Sequence, residues 1–124
     1  MDYLKASESL YANNSPKFPT PIWPTFSCVC QAIELYLKAY LRMQGISADE
    51  LKRKFGHDLQ LLLEMATQLK LNYDSLEHLA KYIPLISEPH KYREFQYVKS
   101  GKWELPYMGI LISLVQKLAK KVDY

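Results

Sequence analysis

Apolar residues return at helical spacing along one stretch of this chain, and they do so twice in close succession. Phe26, Val29, Cys30, Ile33, Leu37, Tyr40 and Leu41 fall on one stripe. Leu59, Leu62, Leu63, Ala66 and Leu69 fall on a second. Between them stand Gly45, a natural helix stop, and Gly56-His57-Asp58-Leu59, which opens a new helix. Amphipathic helices joined by short links bury their stripes against one another, so the stretch points to an all-α fold.

The flanking segments extend that reading. Asp2 to Asn13 reads as a short helix with Asp2 as its cap, and Asn13-Asn14-Ser15-Pro16 ends it. Prolines from Pro16 to Pro24 make a stiff extended connector. The main helix starts near Pro24 and runs to Gln44. Ser47-Ala-Asp-Glu50 is a capping box for a short helix that ends at Gly56. Another helix spans Asp58 to Lys70. Asp74-Ser-Leu-Glu77 reads as a second capping box, ahead of a helix carrying Leu76, Leu79, Ile83 and Ile86. Pro84 should kink that helix, because it removes a backbone donor and crowds the preceding turn. Glu88 to Leu105 is less regular, and Phe95-Gln-Tyr97 with Trp103-Glu-Leu105 fits a small hairpin or a loop equally well. A last helix runs from Pro106 to about Val122, with Met108, Leu111, Ile112, Val115 and Leu118 on one face. The expected architecture is an up-and-down bundle of four to five helices. Residues 1–124 form one domain, with 1–23 as the N-terminal helix and proline-rich connector. Ile33, Leu37, Leu41, Leu59, Leu62, Leu63, Ile112 and Val115 are expected to share its core.

Bulk properties narrow the function classes. A chain of 124 residues can bury a single core, and 23% charged residues with 48% hydrophobic ones is ordinary for a globular domain. The net charge of +3 permits nucleic-acid contact without arguing for it. No segment is long and apolar enough for a membrane span, and the N-terminus lacks a secretory pattern. Cys28 and Cys30 are too close for an ordinary disulfide or a four-ligand zinc site. A reducing, cytoplasmic location is the expectation.

The polar residues offer few sites. Glu34 and Lys38 stand four apart in the favourable order on the main helix, bracketed by Ile33, Leu35, Leu37 and Ala39. Partial burial would demand partners, which points to a structural network with His57. His57 and Asp58 sit where a helix begins, His57 as a hydrogen-bonding residue and Asp58 as the cap. His78 and His90 stand isolated, with no Cys or carboxylate at ligand spacing, so neither a metal site nor a cofactor is expected. Tyr92, Arg93, Phe95, Tyr97 and Trp103 form an aromatic segment that Lys91, Lys99 and Lys102 make basic. Such residues cover a bundle end, anchor a protein interface or stack on bases.

Gln31-Ala-Ile-Glu34-Leu-Tyr-Leu-Lys38-Ala, followed by Phe55-Gly-His57-Asp58-Leu59 and a leucine-rich helix, resembles the HEPN superfamily, especially its small stand-alone bacterial members. The likeness is strongest over Cys30 to Ala66. It implies a helical bundle, often a homodimer, that cleaves RNA or, in non-catalytic versions, binds nucleotides or partner proteins. It also implies a nucleotidyltransferase-type partner in a toxin–antitoxin or defence system. Cleaving members carry Arg, a spacer of four to six residues, then His. No His falls at that spacing after Arg42, Arg53 or Arg93, and Arg53 and His57 are one position short. The expected function is therefore a non-catalytic or atypical HEPN-like domain that binds a partner protein, nucleotide or RNA. The alternatives are a metal-independent ribonuclease using His57 with Arg53 or Arg93, and a purely structural subunit.

Overall fold

The computed structural model describes residues 2–12, 22–91 and 108–122, and every regular element among them is helical. In chain order these are α1 (Asp2–Ala12), α2 (Ile22–Met43), α3 (Ala48–Glu50), a π-helical turn (Leu51–Phe55), α4 (Leu59–Gln68), α5 (Leu76–Lys91) and α6 (Met108–Val122). The fold is all-α. Six α-helices occur among the described residues, where a bundle of four to five was expected; the expected short helix after Ser47 is one of them, and it is only three residues long before the π-helical turn.

α2 is the central element and packs against α1, α4, α5 and α6. Its buried face is accordingly wide, adding Ala32 and Tyr36 to the expected Phe26, Val29, Cys30, Ile33, Leu37 and Leu41. Tyr40 is only partly buried, and its hydroxyl donates to the Leu69 carbonyl at 2.7 Å, tying α2 to the end of α4. All eight residues expected to share the core lie in one buried cluster.

The helix ends show how the chain turns. After α2, Gly45 adopts φ +98°, while its amide bonds to the Arg42 carbonyl and the Ile46 amide to the Leu41 carbonyl. That pair of bonds is a Schellman closure. α4 ends the same way, with Lys70 in the left-handed position and the Leu71 amide bonded to the Ala66 carbonyl. Ser47 caps α3 by accepting from the Glu50 amide at 3.1 Å. The carboxylate of Glu50 pairs with Lys54 at 3.4 Å.

One expectation about α5 needs correction. The helix opens at Leu76, where the Ser75 carbonyl accepts the Leu79 amide, so Ser75 rather than Asp74 stands at the cap position. Pro84 lies within the helical span and is exposed. On the solvent side a freed carbonyl can bond to water, which offsets the lost donor. The expected hairpin or loop around Phe95 to Leu105, and the cap at Asp2, lie outside the described residues and side chains.

Candidate functional site: a buried glutamate and two histidines

The middle of α2 places Glu34 on its inner face, where the residue is 3% exposed. A buried carboxylate requires donors. Lys38, one turn along, supplies the first, with Nζ 3.0 Å from Oε2. The side chain of Lys38 stays only 21% exposed.

The second donor arrives through the π-helical turn. Its wider ring closes when the Gly56 amide bonds to the Leu51 carbonyl, burying Leu51 and Phe55 while Lys52, Arg53 and Lys54 face solvent. Gly56 then takes φ +52° with ψ −119°, a conformation that favours glycine. The chain reverses there, and His57 points back at α2. Its Nδ1 is 3.0 Å from Glu34 Oε1 and 3.1 Å from Oε2. Asp58 stays out of this cluster. It caps α4 by accepting from the Leu61 amide at 3.1 Å, and its other oxygen is 3.4 Å from Lys91.

The third donor corrects the reading of His90 as isolated. His90 Nε2 lies 2.7 Å from Glu34 Oε1 and the residue is buried. The two residues are 56 positions apart, so no local spacing could reveal the pair. One signal was present: His90 continues the stripe of Leu79, Ile83 and Ile86, and a histidine on an apolar stripe needs a buried partner. The Gln60 amide also donates to Ser87 Oγ at 3.3 Å, holding the start of α4 to α5 beside this cluster.

Burial alone would push the Glu34 carboxyl upward. The hydrogen bonds from His90, Lys38 and His57, with the charge of Lys38, outweigh it and hold the group down at about 2. An ionised carboxylate only accepts hydrogen bonds, so both histidine nitrogens facing it carry protons. Burial, and then the Glu34 charge, push the thiol of Cys30 well up, so Cys30 remains a neutral core residue.

Beside the cluster lies a surface pocket of about 460 Å³ lined by Lys38, Arg42, Ala48, Leu51, Lys52, Gly56 and His57. Ala48 and Leu51 give it apolar lining, and its Lys and Arg side chains are the charged ones. Arg53 and Lys54 pair outward with Asp49 and Glu50, whereas Arg42 and Lys52 form no ion pair among the described residues. A larger depression of about 990 Å³ lies where α4 and α5 meet the end of α6, but it mixes Asp74 and Glu77 with its lysines and includes no member of the cluster.

The structure thus brings together Glu34, Lys38 and His57, and adds His90. Arg53 is bonded to Asp49 at 3.2 Å, and His78 is exposed. Tyr92, Arg93, Tyr97 and Trp103 lie outside the described residues. No helix among the described residues is long and apolar enough to cross a membrane. The chain matches no family model, no curated protein and no solved structure.

Proposed function

We propose that this chain is a non-catalytic, HEPN-like binding module that takes a nucleotide or other phosphate-bearing ligand in the pocket beside His57. The observation that carries this reading is the pocket wall. Ala48 and Leu51 line it together with the cationic residues Lys38, Arg42 and Lys52. That combination suits a ligand with one apolar face and one anionic end. Its volume falls within the range of small-molecule sites. The ribonuclease alternative is less well supported by the geometry. His57 Nδ1 is committed to Glu34, and Arg53 is paired outward with Asp49. The resemblance adds a homodimer, a nucleotidyltransferase-type partner and a role in a toxin–antitoxin or defence system to this reading.

Nucleotide titration of the ¹⁵N-labelled chain followed by NMR tests it. ATP should shift the amides of Leu51 to His57 saturably. The double substitution Arg42→Ala with Lys52→Ala should weaken binding at least ~10-fold, about 1.4 kcal/mol. Both residues are exposed, so the thermal melt should stay unchanged. Shifts that do not saturate, or an affinity unaltered by the double substitution, would overturn the proposal.

A further inference from the structure

We infer that Glu34, His57 and His90 form a binding site for a divalent transition-metal ion of the zinc class. Three independent elements deliver the donors: α2 carries Glu34, the turn before α4 carries His57, and α5 carries His90. One ligand atom from each lies within 4.8 Å of the others. The two imidazole nitrogens converge on one carboxylate oxygen, Oε1, at 3.0 Å and 2.7 Å. Neighbouring ligands around a tetrahedral ion bonded at ~2.0–2.1 Å stand about 3.4 Å apart. Each nitrogen–oxygen distance would open by roughly half an ångström to admit the ion.

The donor chemistry selects the metal class. Two imidazoles and one carboxylate suit zinc and its transition-metal neighbours, whereas calcium and magnesium prefer oxygen alone. Three protein ligands leave a fourth position for water or another ligand. Outer support is also in place. Lys38 holds Glu34 Oε2 at 3.0 Å, orienting the carboxylate while Oε1 faces the histidines. His57 belongs to both the donor trio and the pocket wall, so an ion held here lies beside the pocket.

Loading the ion demands a specific proton change. The metal-free arrangement puts protons on His57 Nδ1 and His90 Nε2, both facing Glu34. An ion needs a lone pair at each of those two nitrogens, so the proton facing Glu34 must leave and the metal-bound neutral ring carries its proton on the opposite nitrogen. Histidine ¹⁵N shifts report this directly, without any assay of activity.

The inference stands apart from the nucleotide reading, because the test uses metal alone. The full chain, freed of metal by chelator, is titrated with Zn²⁺ against a chromophoric chelator at neutral pH, and with Co²⁺ by visible absorption. One ion should bind per chain, with the tautomer change seen at both His57 and His90. His57→Ala, at a half-exposed side chain, should fold and should bind Zn²⁺ at least ~10-fold more weakly, the lower end of what even an outer partner contributes. His90→Gln provides a second test, with its circular dichroism compared with wild type. Zinc that binds as well to His57→Ala as to wild type, or that leaves both imidazole tautomers unchanged, would overturn the inference.

Discussion

Glu34 is the only carboxylate buried among the described residues, and its neighbours decide what that burial does. Without donors, an ionised group in this position would destabilise the fold by several kcal/mol. With Lys38, His57 and His90 around it, the carboxyl is held down from 4.5 to about 2. A depressed acid stabilises the folded state above its unfolded pKa and loses that contribution as pH falls through its folded value. The window for Glu34 is therefore pH 4.5 down to 2, and the stabilisation at stake is about 3 kcal/mol. Urea unfolding of wild type and Glu34→Gln at several pH values checks this. Between pH 4.5 and 2 the wild type should lose about 3 kcal/mol more than the variant. Parallel curves would show that the three donors do not favour the charged form.

Among the elements, the helix ends give the sharpest contrast between sequence and structure. The stop at Gly45 was legible, because glycine is the residue that a left-handed closure selects. The same closure at Lys70 was not, because lysine carries no such signal. This residue, at φ 71°, lies between the buried Leu71 and the partly buried Leu69. Lys70 is exposed, so replacing it leaves packing alone and acts on the backbone. Lys70→Gly should stabilise the chain by about 0.5–1 kcal/mol, as relief of left-handed strain exceeds the added unfolded-state entropy. A matched pair of denaturant titrations reads this, and a destabilised variant would mean that the lysine side chain supports the turn. The π-helical turn was hidden for a related reason. A wider ring has no local residue pattern, and only Gly56, with its positive φ, marked where the chain would reverse.

Across the whole molecule, legibility followed the range of the interaction. The α2 and α4 stripes could be read because each is written within one helix, and the expected core residues do cluster. Glu34 and Lys38 could be paired for the same reason, and His57 was reachable through the helix start beside it. His90 was not, since its bond to Glu34 exists only once α5 lies across α2. The tertiary frame that makes that contact should thus depend on the core where these helices meet. Leu62 tests that dependence. It is completely buried on α4, in the same cluster as Leu37 of α2 and Ile83 of α5. Leu62→Ala removes buried methyl groups and leaves a cavity that rigid helices only partly close, so it should cost roughly 2–5 kcal/mol. The comparison is made by urea titration at neutral pH, where Glu34 is ionised in both proteins and its contribution cancels. A loss under ~1 kcal/mol would mean that α4 can shift to refill the space. The register that holds His57 against Glu34 would then owe more to the polar cluster than to the apolar core.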